Sequence, residues 1–210
     1  MSYSKFTLTK LEEELHIITA RATLFGKGSI QPIAPSEMLL GLLADAQDAP
    51  LATEIAIVAG IIYPIFNELR HRNKNRLTLF SGYSLNVDAS KKLTGACDFL
   101  FTMLPDLIEV RAPIFCLVEA KNGIIENGLG QCGAEMYAAQ LFNARMGYEL
   151  PAVFGCVNNG SDWVFMRLEG MRLVVDKNIY RLSDVAMILG VLQYIIDFYE
   201  PYRIAKLKEA

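Results

Sequence analysis

The sequence predicts an α/β protein in which one central mixed sheet is flanked by helices. Hydrophobic residues make up 52% of the 210 residues, which suits one large core, and the chain is short for two domains. Apolar runs with strand character lie between segments with helical character. Their order is helix, three strands, helix, strand, and then a hairpin and a closing helix, which is the order expected of a mixed α/β fold.

The N-terminal part of the chain is predicted to be helical. Residues 1–50 look like a peripheral extension, and residues 51–70 predict a long helix with Glu54 in its first turns. Pro64 lies inside that helix, where a proline costs about 3 kcal/mol. We therefore expect a kink there, or a second helix that begins at Pro64.

The rest of the chain supplies the predicted sheet. Four strands are expected, over residues 77–87, 93–104, 113–121 and 151–157. A helix over 131–146, which Gln131 opens, connects the third strand to the fourth. A hairpin turning at Glu169-Gly170 and a C-terminal helix complete the fold.

Net charge, cysteine spacing and the length of the apolar runs argue against several classes of protein. The net charge of −3 argues against a protein that coats nucleic acid non-specifically, although an enzyme can keep its basic groups local. Four cysteines without a Cys-x-x-Cys pair predict reduced core thiols, and neither a zinc site nor a disulfide framework. The longest apolar run, residues 55–66, is too short to span a bilayer, and no signal-peptide pattern follows Met1. We therefore expect a soluble, cytoplasmic protein.

The most informative stretch is Val118-Glu119-Ala120-Lys121, which closes the apolar run of the third strand. Side chains alternate along a strand, so Glu119 and Lys121 share one face and Ala120 takes the other. Burying a charge costs several kcal/mol unless it is paired or bound to a metal. A second acid, Asp98, lies in the preceding apolar strand. An Asp, a Glu and a Lys at adjacent strand ends suggest metal-assisted phosphodiester chemistry.

Two aspartates precede Glu119, and the expected hairpin register decides between them. A short connection makes the second and third strands antiparallel, with a turn midpoint between Ile108 and Glu109. Asp98 and Glu119 are equidistant from that midpoint, so their Cβ atoms should lie roughly 4.5–5.5 Å apart on one face. Asp106 would lie about eight strand residues away, or roughly 26 Å. We assign Asp98 to the site and Asp106 to the turn.

The stretches Gly95–Asp98 and Val118–Lys121, followed by Gln131 at a helix start, resemble the PD-(D/E)xK nuclease superfamily. Its fold is restriction-endonuclease-like, and the similarity is to a bacterial branch near the N-terminal nuclease domain of type I restriction subunits. The resemblance implies a single nuclease-like domain over residues 1–210, with a helix, three strands, helix, strand core over about 51–158. The N-terminal extension (1–50) and the C-terminal hairpin and helix (159–210) would be additions.

The chain departs from the superfamily's pattern at two positions. The proline that normally precedes the first acid is replaced by Cys97. Position 135 is Glu, so the Gln-x-x-x-Tyr pattern of exonuclease relatives is absent. This second departure weakens an exonuclease interpretation.

The resemblance implies a metal site. Asp98 and Glu119 would bind Mg²⁺, with Mn²⁺ as a substitute, helped by the carbonyl of Ala120. Glu54 matches the acid that relatives often carry on the first helix, where it binds a second metal through water. Mg²⁺ favours carboxylate oxygens and keeps several waters, which agrees with this donor set.

The resemblance also implies an activity. Lys121 would orient or activate the attacking water and stabilise charge on the phosphorane, and Gln131 would contact metal, water or phosphate. The protein would be a Mg²⁺-dependent endodeoxyribonuclease that hydrolyses phosphodiester bonds in DNA. Relatives often act as homodimers, and no membrane partner is expected.

Several alternatives stay open from the residues alone. Glu119 and Lys121 are also what a salt bridge at a strand end requires, and Glu54 and Gln131 are ordinary residues for helix starts. The basic segment 70–76 suits a nucleic-acid contact, but a solvated helix end explains it better. The whole chain could be a catalytically inactive module of the nuclease fold that binds nucleic acid or a protein partner. It could also be a structural domain with an internal salt-bridge network.

Overall fold

A computed structural model describes residues 2–207, in which an eight-stranded mixed sheet lies between two layers of helices. The strands are β1 (Ile18–Ala22), β2 (Thr78–Ser84), β3 (Ala96–Thr102), β4 (Ile114–Ala120), β5 (Val153–Asn158), β6 (Asp162–Glu169), β7 (Arg172–Asp176) and β8 (Tyr180–Arg181). The helices are α1 (Leu8–Leu15), α2 (Glu37–Gln47), α3 (Glu54–Ile57), α4 (Tyr63–Arg72), α5 (Glu126–Arg145), α6 (Val185–Phe198) and α7 (Glu200–Leu207).

The sheet has the strand order β1-β7-β6-β5-β4-β3-β2, and β8 pairs with the first residues of β6. Strands β2, β3 and β4 form an antiparallel meander. Helix α5 then crosses over, so that β5 runs parallel to β4. Strands β5, β6 and β7 are again antiparallel, and β1 is parallel to β7. The predicted α/β class, with a mixed sheet flanked by helices, is confirmed.

Each face of the sheet carries its own apolar cluster. On one face Phe66 of α4 packs edge-to-face on Phe99 and Trp163, with ring centroids 4.9 Å and 5.8 Å away. On the other face α1 and α5 contribute Leu11 and Met136 to a second cluster. The end of β4 that carries Glu119 therefore lies between two apolar clusters, so that burying a charge there is costly.

The N-terminal segment contains the predicted helices, α1 and α2, but it is neither wholly helical nor peripheral. Residues 18–22 form β1, which extends the sheet beyond β7. Tyr3, Leu11 and Ile17 are buried in the second apolar cluster. Strand β1 is partly exposed because it is an edge strand, so it lacks the apolar run from which a buried strand is predicted.

The long first helix changes its pitch before Pro64. Helix α3 passes into a π-helical segment, Val58–Ile62, and α4 follows directly. At the junction the Tyr63 backbone N–H donates to the Val58 carbonyl, five residues back. A π-helical turn is a known way for a helix to accommodate a proline, and the expected irregularity at Pro64 is confirmed in this form.

Helix α5 begins at Glu126, so the prediction that Gln131 opens it is wrong by five residues. Gly128 and Gly130 lie in the helix, before the predicted start. A Cβ at Gly130 would lie 2.4 Å from the Thr7 backbone, and one at Gly128 would lie 2.6 Å from β5. The glycines are therefore explained by close packing of the helix and not by a turn.

The C-terminal hairpin turns one residue later than predicted. Glu169 pairs with Arg172, so the two-residue turn is Gly170-Met171. Gly170 has a φ of +55°, a value that glycine adopts without strain. Glu169 is thus the last residue of its strand and not the first of the turn.

Within residues 2–207, the segment Leu182–Arg203 is long and apolar enough to span a bilayer by length and composition, with a mean hydropathy of 1.4. Half of that apolar window is buried inside the protein, and Ile188 and Leu189 pack in the core. A core helix of a soluble protein has the same properties, so the segment is weak evidence for a membrane protein. All four cysteines are free and buried, as predicted.

Candidate active site

The hairpin of β3 and β4 has the predicted register. Phe99 lies opposite Val118 and Leu100 opposite Leu117, which places Asp98 opposite Glu119 one step further. A bulge between Phe101 and Thr102 lies on the turn side and leaves this end unchanged. Asp106 is an exposed residue of the connecting loop, with a φ of +55°.

Asp98 is fixed to the neighbouring strand by its side chain. Its Oδ2 accepts a hydrogen bond of 2.8 Å from the backbone N–H of Ala120. Burial raises the pKa of Asp98, the Ala120 N–H and the Lys121 ammonium oppose this, and the carboxylate of Glu54 adds to the increase. Asp98 therefore joins the two strand ends and keeps a partly exposed carboxyl group beside Glu119.

Glu119 is almost fully buried, with only 1% of its surface exposed. The Lys121 Nζ donates to its Oε1, whereas no described residue bonds its Oε2. Burial, and then the charge of Asp98, raises the pKa of Glu119 to about 7. A buried carboxylate oxygen without a partner is unfavourable, and a cation or a proton would relieve it.

Lys121 connects the strand end to α5. Burial lowers the pKa of Lys121, but Glu119, Glu54 and Asp98 outweigh burial, and the net pKa is raised. Its Nζ lies 3.4 Å from Gln131 Oε1. Lys121 therefore stays an ammonium within reach of both Glu119 and Gln131.

Gln131 lies on the second turn of α5, where its amide is held from both sides. Its Oε1 faces Lys121, and its Nε2 donates to Glu135 Oε1 over 3.1 Å. This arrangement fixes which end of the amide points at the lysine. The structure thus brings Gln131 to the site, although not from a helix start.

Glu135, which was not among the predicted site residues, lies on α5 one turn after Gln131. It is 0% exposed, and its Oε2 has no partner among the described residues. Burial, and then the nearby Glu119, raises the pKa of Glu135 well above its usual value, and the two carboxyl groups lie within hydrogen-bond reach. The one signal available in the sequence was its spacing of one helical turn from Gln131.

Because Gly128 has no side chain, Lys121 can lie alongside α5 at this position. A Cβ at position 128 would lie 3.1 Å from Lys121 Cγ and 2.6 Å from Val157 Cγ1. A side chain there would push the helix away from β5 or displace the lysine. Gly128 therefore shapes the site without contributing a polar atom.

Glu54 is the first residue of α3, after Thr53, whose side chain accepts from the Ala56 N–H over 3.2 Å. Glu54 and Asp98 line the same cavity, which has a volume of about 420 Å³. The cavity lies between the α3–α4 helix and the β2–β3 strands, and its lining is Glu54, Ile55, Val58, Ala59, Tyr63, Ser81, Gly82, Asp98 and Phe99. Of the predicted site residues, Glu54 and Asp98 therefore face this cavity.

The donor set suits Mg²⁺. Among the described residues, no group of three or more His, Cys, Asp or Glu side chains is arranged to hold a metal ion. Mg²⁺ needs fewer protein ligands, because it uses one or two carboxylates and keeps several waters. Asp98, Glu119 and the Ala120 carbonyl are oxygen donors of this kind, and the unpartnered Glu119 Oε2 leaves one donor position free.

The basic segment 70–76 is engaged within the protein. Arg72 pairs with Glu68 at 2.6 Å, and Arg76 pairs with Asp197 at 2.7 Å. The first contact lies within α4, and the second joins the segment after α4 to α6. The segment agrees with the helix-end interpretation better than with a nucleic-acid contact.

The five predicted site side chains thus come together at the ends of β3 and β4. Asp98 and Glu119 face each other, Lys121 and Gln131 follow on the α5 side, and Glu54 lies on the cavity side. A function for this arrangement has to be argued from its chemistry. No protein-family model and no curated protein matches the sequence.

Proposed function

We propose that this chain is a Mg²⁺-dependent nuclease of the PD-(D/E)xK type, which hydrolyses phosphodiester bonds in DNA. The observation that carries the proposal is Glu119. It is buried opposite a second carboxylate, has an ammonium on one oxygen, and receives no hydrogen bond on the other from an N–H donor of the described residues. Such an arrangement is unfavourable in the free protein, and a divalent cation, or a proton shared with the nearby Glu135, would relieve it.

The topology supports the same proposal. An antiparallel meander of β2, β3 and β4 is followed by α5 and by β5 parallel to β4. With the α3–α4 helix in front, this is the order of helix, three strands, helix and strand of a restriction-endonuclease-like core. Fold alone does not fix function, so the argument depends on the site.

The side chains divide the work by position. When bound, Mg²⁺ supplies Lewis-acid activation of the phosphoryl oxygen and of an attacking water. Asp98, Glu119 and the Ala120 carbonyl would hold it, and Glu54 faces the same cavity. The Lys121 ammonium provides positive charge where the transition state is most negative and orients the water, and Gln131 keeps that ammonium in place.

A cleavage assay tests the proposal. Plasmid and single-stranded DNA are incubated with Mg²⁺ or Mn²⁺ and the purified protein, beside Glu119→Gln. We expect the substitution to lower the rate by about 100-fold or more, because it removes a metal-binding oxygen and keeps the side chain's shape. Asp106→Asn is the matched control, since Asp106 is an acid in the far turn. Cleavage that survives Glu119→Gln would indicate a contaminating nuclease and remove the assignment.

One observation favours a second candidate, a catalytically inactive module that binds nucleic acid or a protein partner. The ion pair between Lys121 and Glu119 compensates one charge of the site without a metal. Calorimetric titration with Mg²⁺ separates the two candidates. A competent site binds the ion and loses it with Asp98→Ala, whereas a module shows no such binding.

A further inference from the structure

The cavity beside Asp98 has mostly apolar walls. Ile55, Val58 and Tyr63 project from one side of the α3–α4 helix, and Phe99 of β3 lies across from them. The edge strand β2 adds Gly82, and a Cβ built at that position would meet nothing within 4 Å. The volume of about 420 Å³ lies within the range of small-molecule sites.

Two large side chains of this wall are left in solvent. Ile55 is 81% exposed and Tyr63 is 46% exposed. Exposed apolar surface at the rim of a cavity is available for burial by a ligand. The Tyr63 ring is also the kind of platform on which a nucleic-acid base stacks.

The charges of the cavity indicate which ligand fits. Its acids, Glu54 and Asp98, favour a divalent cation and through it a phosphate group, whereas the apolar wall favours a flat, unpaired ring. A ligand that combines both is a nucleotide unit with an unstacked base.

Duplex DNA fits this surface less well. Proteins hold a duplex mainly through many cations on its phosphates. The net charge here is −3, and Arg72 and Arg76 are already paired within the protein. The bases of a duplex are also stacked and cannot lie against Tyr63.

We propose that this cavity is a subsite for an unstacked base of single-stranded DNA, with Tyr63 as its stacking surface. The proposal rests on the nuclease function above and names its substrate class. It assigns Tyr63 and Ile55 to binding, and neither residue to the chemical step.

Fluorescence anisotropy with a labelled oligothymidylate tests the subsite, with Ca²⁺ in place of Mg²⁺ so that binding is measured without turnover. Tyr63→Leu should weaken binding by roughly 5- to 100-fold, which is the range for loss of one base–aromatic stack. Tyr63→Phe should stay within about twofold of the parent, because it keeps the ring. Ile108→Ala removes an exposed apolar side chain from the distant β3–β4 loop and should have no effect.

A ligand-side test avoids any question of folding. An oligonucleotide with abasic positions should bind the parent protein as weakly as the intact oligonucleotide binds Tyr63→Leu. Equal binding of the intact and abasic strands, or tighter binding of the matching duplex, would overturn the subsite.

Cleavage measured in parallel separates this inference from the proposed function. Binding of single strands that depends on Tyr63, without any cleavage in Mg²⁺, keeps the subsite and removes the nuclease function. Cleavage that depends on Glu119, with Tyr63→Leu unchanged in binding, keeps the function and removes the subsite.

Discussion

At the scale of single residues, the site gathers more carboxyl groups than its one ammonium can pair. Asp98, Glu119 and Glu135 lie together with one ammonium, that of Lys121. Two of these acids are almost fully buried, and each has an oxygen without a partner among the described residues. Buried acids with perturbed pKa values cluster at functional sites, where a protein tolerates their cost in stability.

These crowded carboxyl groups predict an unusual pH dependence of the free energy of unfolding of the metal-free protein. The pKa of Glu119 is about 7 in the folded protein, against 4.5 ordinarily, so the folded state holds the proton more tightly. Tighter proton binding by Glu119 therefore stabilises the folded state fully below about pH 4.5. This stabilisation is lost as the pH rises towards 7, at up to about 1.4 kcal/mol per pH unit. Glu135 shifts in the same direction.

Urea unfolding in EDTA at pH 5.5, 6.5 and 7.5 measures this loss. Glu119→Gln should make the profile shallower, because the amide does not titrate while Glu135 still does, and Asp106→Asn should leave it unchanged. Adding Mg²⁺ should restore stability at pH 7.5 in the parent alone. A free energy of unfolding that rises through this interval in the parent would contradict the prediction.

At the scale of elements, the contact of α5 with the sheet decides where the site residues lie. Gly128→Ala should destabilise the protein by about 1–3 kcal/mol, because a new methyl group would overlap Val157 Cγ1. This loss should exceed the gain of up to about 1 kcal/mol that alanine brings to a helix. Gly41→Ala in α2 is the matched control, since nothing lies within 4 Å of its Cβ.

Thermal unfolding of the two variants separates packing from helix propensity. Gly41→Ala should be neutral or more stable than the parent, and Gly128→Ala less stable. Equal increases in both would mean that α5 has room at position 128. In that case the close approach of Lys121 to the helix would not constrain the site.

The same elements explain what the sequence could predict. The register of β3 on β4 follows from two buried apolar runs and a short connection, so counting residues from the turn placed Asp98 opposite Glu119. The start of α5 could not be predicted, because Gly128 and Gly130 are selected by contacts with β5 and with Thr7, which are distant in sequence. Glu135 could not be assigned to the site from the sequence, because its burial beside Glu119 depends on how α5 packs on β4.

At the scale of the whole molecule, the N-terminal segment belongs to the layer that supports the site. Helix α1 packs on α5, and β1 extends the sheet at β7. Leu11 is fully buried, and its Cδ1 lies 2.6 Å from where a Cβ of Gly133 would be. The N-terminal segment thereby covers α5 on the side that carries Gly133, which a peripheral extension would have left exposed.

We therefore expect Leu11→Ala to destabilise the whole protein by about 2–5 kcal/mol, which is the usual cost of truncating a fully buried leucine. For a chain of this size the melting temperature should fall by about 4–20 °C. Leu40→Ala truncates a leucine that is 49% exposed on α2 and should change the free energy of unfolding by less than about 0.5 kcal/mol. If Leu11→Ala melted like the parent, α1 would be an appendage, and α5 would have to be held against the sheet by its strand-facing contacts alone.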